Sequence, residues 1–257
     1  MKKLLVALLL CLMLPGVSLA ADDPKLAELL KAGPDALLIE ADQRLTNWKD
    51  QEMKVRLTAI GGSDNGRVVQ MLMNTKGDSL RNMRFEEPAD SRGMGVVIKG
   101  ADEIYVRLPG STNVRRVASH ARKQTLQGTD VAFDDSSLIR LSPQFAAALG
   151  TQTEKYVELK LTRKAGASVS YPTLTVRIDK ADLVVDHIEY FDDAGKKLKT
   201  EVRTELMHPS PGHRVHKIVT VTSHEREHAT RIEVLTERIN TGVSDDAFSK
   251  RWLMREL

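Results

Sequence analysis

Alternation with a period of two residues recurs along most of this chain and constrains its fold more than any other feature. Met53, Val55, Leu57 and Ala59 alternate with Glu52, Lys54, Arg56 and Thr58. The rhythm returns at Val157, Leu159 and Leu161, and at Leu174, Val176 and Ile178. It is cleanest where Leu198, Val202 and Leu206 alternate with Lys197, Lys199, Glu201, Arg203 and Glu205. Successive side chains of a strand point to opposite faces, so each segment is expected to have one dry face and one wet face. That pattern belongs to antiparallel sheets, because parallel strands are buried on both sides. Turn-forming clusters separate the segments: Gly61-Gly62-Ser63-Asp64-Asn65-Gly66, Asp192-Asp193-Ala194-Gly195 and His208-Pro209-Ser210-Pro211-Gly212. Read through, the pattern predicts about 10–11 strands.

Helical signals frame the strands. Asp23-Pro24 starts a helix with Leu26, Leu29 and Leu30 on one side and Gly33 as its stop, and Pro34 opens another through Leu37, Leu38, Ala41 and Leu45. The spacing predicts helices over 24–32 and 34–47. Ser142-Pro143, followed by Phe145, Ala146, Leu149 and Gly150, predicts a third over 143–149. A last short helix is expected from Ser244, with Phe248, Trp252 and Leu253 as its apolar side. The chain is therefore read as mainly β (α+β), with short helices on the apolar face of one long meandering sheet. A porin-like barrel shows the same alternation. Five Phe, four Tyr and two Trp are too few for two interfacial girdles, and the leading helices do not fit one.

The first twenty residues carry an export signal. Lys2 and Lys3 precede an apolar run from Leu4 to Leu14, and Ser18-Leu19-Ala20 supplies small residues for cleavage. The expected organisation is a cleaved signal peptide at 1–20 and one domain at 21–257, delivered to the periplasm. Cys11, the one cysteine, sits behind Leu10 inside the apolar run, so it is read as part of the discarded peptide and not as a lipid attachment site. The exported chain then has no thiol chemistry. Cleavage lowers the 38 basic residues by two, to 36 against 35 acids, which is no footprint for nucleic acid. No later stretch approaches the ~20 apolar residues of a membrane-spanning helix.

Several constellations invite chemistry. His224-Glu225-Arg226-Glu227-His228 matches the zinc-protease pattern H-E-x-x-H, which works on a helix that puts both imidazoles one turn apart. Val219, Val221 and Thr222 before it, and Thr230, Ile232 and Val234 after it, predict the tip of a hairpin instead. Five of the seven His fall between 208 and 228, where strand pairing would place His216 near His224 or His228. From Ile104 to Thr129 there is no acid but there are Arg107, Arg115, Arg116, Arg122 and Lys123. These could meet anionic headgroups or an acidic partner, or pair with Asp130, Asp134 and Asp135. Met53, Met71, Met73, Met83 and Met94 suit a surface that accepts varied apolar ligands, or ordinary core filling. Met53, Met71, Met73 and Met83 with Phe85, Val96, Ile98 and Leu108 form the candidate ligand lining, and Arg107, Arg115 and Arg116 the candidate headgroup or partner contacts. No nucleophile elbow, P-loop or dinucleotide fingerprint occurs, so neither an enzyme activity nor a cofactor is expected.

One series of short motifs resembles a known family. Arg84-Phe85-Glu86-Glu87-Pro88-Ala89-Asp90 and Arg92-Gly93 are followed by Ile104-Tyr105-Val106-Arg107-Leu108-Pro109 and Arg115-Arg116-Val117. Gly128-Thr129-Asp130-Val131-Ala132-Phe133 closes the series. In this order they resemble the LolA-like outer-membrane lipoprotein-sorting family over about fifty residues. The resemblance implies an unclosed, curved antiparallel half-barrel with helices in its mouth and an apolar cavity for acyl chains. It implies a carrier of lipid or lipoprotein acyl chains working with an inner-membrane transporter, not itself membrane-spanning. The chain departs from the family at Asp134-Asp135-Ser136-Ser137, where an aromatic-acidic step is usual. Two other readings stand beside the carrier: a periplasmic scaffold with a self-filled core, and a zinc hydrolase using His224, Glu225 and His228.

Overall fold

The computed structural model describes residues 21–100 and 102–255. The export signal expected at 1–20, Cys11 included, lies outside them. Two helices lead, α1 (Leu26–Ala32) and α2 (Pro34–Leu45). Gly33 joins them at φ +110°, which is strained for any residue with a Cβ, and Pro34 supplies the fixed φ of a first helical turn.

Thirteen strands follow among the described residues. They are β1 (Asp50–Ile60), β2 (Val68–Lys76), β3 (Leu80–Glu87), β4 (Gly95–Lys99), β5 (Ile104–Arg107), β6 (Arg115–Arg116) and β7 (Phe145–Gln152). The remainder are β8 (Tyr156–Arg163), β9 (Thr173–Asp179), β10 (Val185–Phe191), β11 (Lys197–Ser210), β12 (His213–Ser223) and β13 (His228–Ile239). All lie in one antiparallel sheet in the order β6-β5-β4-β3-β2-β1-β13-β12-β11-β10-β9-β8-β7. The first and last strands therefore pair in the middle, Leu57 opposite Ile232 and Val55 opposite Val234, and the edges β6 and β7 stay apart. The sheet is unclosed. Its concave face carries the period-two apolar residues.

Two of the thirteen strands exceed the expected count, and one of them corrects a helix. Residues 143–149 are not helical: Phe145 pairs with Arg163 and Ala147 with Leu161 along β7. The helix-favouring alanines yield because this edge closes the apolar face of β8, and Phe145 is fully buried there. Gly150, read as a helix stop, sits at a register shift, where an added Cβ would come within 2.6 Å of Glu158 Oε1. The other extra strand is the two-residue β6. A short helix that the sequence did not announce, α3 (Phe133–Ser137), stands between the two halves of the sheet.

The C-terminal segment covers the convex face. On β4, Val96 and Ile98 point inward, while Val97 between them packs on Phe248 and Leu253. Phe248 ends a 3-10 turn (Asp245–Phe248) capped by Ser244, and Leu253 lies in α4 (Lys250–Met254). Arg84 anchors α4 by donating Nη2 to the Trp252 carbonyl at 2.7 Å and stacking 4.2 Å over the indole. Gly95 lets α4 approach, since a Cβ there would lie 2.7 Å from Leu253 Cδ2. Gly95→Ala should therefore cost about 1–3 kcal/mol, read as a lower Tm with faster trimming of the C terminus by a carboxypeptidase.

Candidate apolar ligand site

The concave face is filled at both ends and open in the middle. At one end α2 sets Leu37, Leu38 and Ala41 against Phe145, Leu159, Val176 and Ile178 of β7 to β9. At the other, a strap over residues 118–141 lays Leu126 and Phe133 on Val55, Met71, Met83, Phe85, Val96 and Ile98. Between the two fillings lies a cavity of about 300 Å³. Met53, Met73, Val219, Ile232 and Val234 line it and remain only half buried, although they are apolar and face inward.

Polar latches hold the strap in place. Asp130 is 3% exposed and accepts from His228 Nδ1 (2.5 Å), Thr230 Oγ1 (2.8 Å) and Arg226 Nη2 (2.6 Å). Asp134 accepts from Arg122 Nε at 2.6 Å and from the Ser170 hydroxyl, and burial raises its pKa. Asp135 takes the Tyr171 hydroxyl at 2.7 Å and Lys199 Nζ at 2.5 Å, while its Oδ2 caps the Ala132 N–H at the start of α3. Arg81 donates Nη1 to the Ser136 carbonyl at 2.9 Å. Asp134-Asp135-Ser136-Ser137, the departure from the family pattern, is thus the segment that seats the strap.

One end of the cavity is polar. Tyr190 donates its hydroxyl to Glu201 Oε2 at 2.9 Å, and Arg203 donates Nε to Glu201 Oε1 at 2.6 Å. Burial pushes the Tyr190 hydroxyl well up. Burial is also the largest single influence on Glu201 and opposes its ionisation, but the Arg203 charge, the hydrogen bonds from Arg203 and Tyr190 and the Lys199 charge together make the net direction down. His216 lines the same end at 7% exposure. The backbones of Val185 and Thr204 lie nearby, yet neither ring nitrogen makes an aligned hydrogen bond among the described residues. Burial first, and the Arg203 charge second, lower its pKa from 6.5 to about 4.

This lowering carries a pH dependence. As pH falls below 6.5, the unfolded chain takes the proton before the folded ring does, so stability present above 6.5 is lost on the way to about 4. The full loss is roughly 3 kcal/mol. Thermal unfolding of the wild type and His216→Gln at pH 7 and pH 4.5 should show the variant losing less stability on acidification. Parallel losses would contradict it.

The sequence candidates separate in space. Met53, Met71, Met73 and Met83 line the cavity, Met71 and Met83 being 3% and 2% exposed. Phe85, Val96 and Ile98 are buried beneath the strap, behind the cavity wall. Leu108 leaves the lining altogether. It is 44% exposed, because β5 ends at Arg107 and Pro109-Gly110 turns the chain away. Arg107 donates to the Leu253 carbonyl at the end of α4 (3.3 Å), Arg116 donates to the Asp102 carbonyl (2.9 Å), and Arg115 is exposed on β6. None of these three reaches the cavity. Of the basic run, only Arg122 pairs with one of the three expected acids. Lys199, Arg226 and His228 supply the rest.

Residues 224–227 form the turn between β12 and β13, one residue shorter than the five-residue tip 224–228 that the flanking β-branched residues predict, because His228 opens β13 opposite Ser223 and is buried. His224 Nε2 meets Thr200 Oγ1 at 2.8 Å, while His228 turns inward to Asp130. His216 sits opposite Leu206, away from both. Among the described residues no group of three His, Cys, Asp or Glu is gathered as a metal site, and no helix is long and apolar enough to cross a membrane. Part of the expected wet face of β11 is turned inward: Lys199 is buried and Glu201 and Arg203 line the cavity, while Val202 is only half buried and Leu198 packs on the core as expected. The partners that make this tolerable are Tyr190 on β10 and Asp135 on α3, invisible to a period count.

Solved structures share this architecture. A domain described as an outer membrane lipoprotein-sorting protein from Vibrio parahaemolyticus superposes with a TM-score of 0.77 at 20% identity, covering 86% of this chain and 98% of that one. A DUF1329 family protein from Desulfovibrio piger gives 0.77 at 18% identity, covering 88% and 99%. A LolA superfamily protein from Nitrosomonas europaea gives 0.73 at 16% identity, covering 85% and 98%. No curated protein matches the sequence. The model of a family described as "Uncharacterized protein" matches residues 77–255, which span β3 to α4. The chain belongs to that family, and its fold is that of the LolA-like lipoprotein-sorting proteins.

Proposed function

We propose that this protein is a periplasmic, non-enzymatic carrier that shields the acyl chains of a lipid or lipoprotein in its central cavity and exchanges them with an inner-membrane transporter. The observation that carries the reading is the half-buried state of Met53, Met73, Val219, Ile232 and Val234 on an inward face. Apolar surface left against water is unfavourable by roughly 25 cal/mol per Å². Hydrocarbon would remove that contact without asking for a hydrogen bond, and two methionines can adapt to chains of different length. The volume stands at the lower end of the ~300–1,000 Å³ usual for ligand sites, which fits one chain better than several. The export signal and the likeness to lipoprotein-sorting structures support the periplasmic setting.

Titration of the exported protein with a fluorescent fatty acid should saturate near one per chain, and extraction of gently purified protein should release lipid. Linear, non-saturating uptake with no co-purified lipid would leave the scaffold reading standing.

A further inference from the structure

The cavity has a polar neighbour. Outside α2 lies a cleft of about 870 Å³ whose charged lining is Lys25, Arg44, Lys49, Arg140 and Arg214 against one acid, Glu40. Cleft and cavity share Thr46, Trp48 and Arg214, so they meet at a neck built by the end of α2 and by β12. Within the cleft, Arg44 is held by Glu40 and Asp23, and Arg140 by Asp78 and the Thr46 hydroxyl. Two cations are less committed. Arg214 donates only Nε, to Asp182 at 3.2 Å, and neither Nη has a partner among the described residues. Lys49 Nζ makes no ion pair among them.

Two further groups, Trp48 in the neck and His216 inside the cavity two residues along β12 from Arg214, lack partners among the described residues. Trp48 Nε1 is buried without an acceptor, and both nitrogens of His216 are unpaired. A buried polar group left unpaired costs about 1–3 kcal/mol. Neutral His216 offers one donor and one acceptor, and Trp48 one donor. The path from the cavity outward thus runs from hydrocarbon, past unpaired hydrogen-bonding groups, to free cationic donors.

We propose that cavity and cleft are one site for an anionic amphiphile. Its acyl chain occupies the cavity, its ester or hydroxyl oxygens meet Trp48 at the neck and His216 just inside it, and its phosphate or carboxylate head lies against Arg214 and Lys49. The inference rests on the carrier reading and adds the ligand's head. Guanidinium groups pair with such oxyanions through two parallel N–H donors, and the two Nη groups of Arg214, which lines the cleft, are uncommitted among the described residues.

The test compares phosphatidic acid and diacylglycerol carrying the same fluorescent acyl chain, each titrated into the wild-type protein. The anionic lipid should bind about tenfold more tightly, and the difference should shrink as salt is raised. Lys49→Glu and Arg214→Gln should each remove most of that preference while the affinity for diacylglycerol, which has no anionic head, stays within about twofold of wild type. Lys49 is exposed and forms no ion pair among the described residues, so its variant keeps the test valid if Arg214→Gln fails to fold. Equal affinity for the two lipids in the wild type would overturn the proposal. So would inorganic phosphate binding the cleft with no gain for phosphatidic acid, which would mark a free-anion site. Saturable binding of neither lipid would instead sink the carrier reading beneath it.

Discussion

Val234→Phe should lower acyl-chain affinity at least about tenfold while leaving the protein folded. Val234 stands on β13 opposite Val55 and faces the cavity only half buried, so a ring at this position has space in which to grow. Its apolar surface demands no hydrogen bond, and it fills volume that a hydrocarbon chain would otherwise take. A methylene excluded from apolar contact forfeits about 0.8 kcal/mol, so displacing two or three of them suffices for the tenfold change. Titration with a fluorescent fatty acid reads the affinity and the thermal midpoint reads the fold. A folded variant that binds as tightly as wild type would place the acyl chain elsewhere. Met73→Glu tests the same wall by charge, since a carboxylate against hydrocarbon costs several kcal/mol unless water follows it in. Glutamate at Met71 or Met83 is a poorer probe, because both are already packed and would unfold the wall itself.

Asp130→Ala should destabilise the protein by about 3–5 kcal/mol, because it strips one carboxylate from the buried His228 and Thr230 and from Arg226. For a chain of this size the thermal midpoint should fall on the order of 10 °C. Asp130→Asn keeps the shape and should lose less. A shift of only a degree or two for Asp130→Ala would mean that the strap is held by its apolar residues, Leu126 and Phe133, and not by this latch. The position is instructive because Gly128-Thr129-Asp130 is among the motifs that carry the family resemblance. Its role in the structure is mechanical: Thr129 and Asp130 tie the strap to the β12–β13 hairpin, and Thr230 Oγ1 also accepts the Asp130 N–H at 2.8 Å.

Other motifs of the resemblance have the same character. Arg84 and Arg107 both end on carbonyls of α4, and Arg92-Gly93 turns the chain between β3 and β4, with Gly93 at φ +82°. Motifs legible as a series therefore identify the frame of the half-barrel. The groups that give the cavity its polar end, Tyr190, Glu201, Arg203 and His216, belong to no motif. Arg203 and Glu201 even read as solvent-facing residues, because their alternation with Val202 looks like that of an ordinary wet face.

Several elements were decided by sequence alone. The antiparallel sheet follows from period-two alternation, α2 from Pro34 and its apolar side, and the turn at 224–227 from β-branched residues on both flanks. Each depends on neighbours within a few residues, so local steric preference and one-sided burial are enough to specify it. Tertiary structure decided the rest. Residues 143–149 became a strand because β8 needed an apolar edge partner, and the inward face of β11 became polar because Asp135 and Tyr190 were there to pair with it. The strap lies across the concave face because Asp130 meets a hairpin about a hundred residues away in the chain. The cavity exists because α2 and the strap, packed against different parts of an unclosed sheet, leave Val219 of β12 and Ile232 and Val234 of β13 only half covered between them. Such outcomes depend on contacts between distant segments, and no local pattern in a chain encodes which distant partner will arrive.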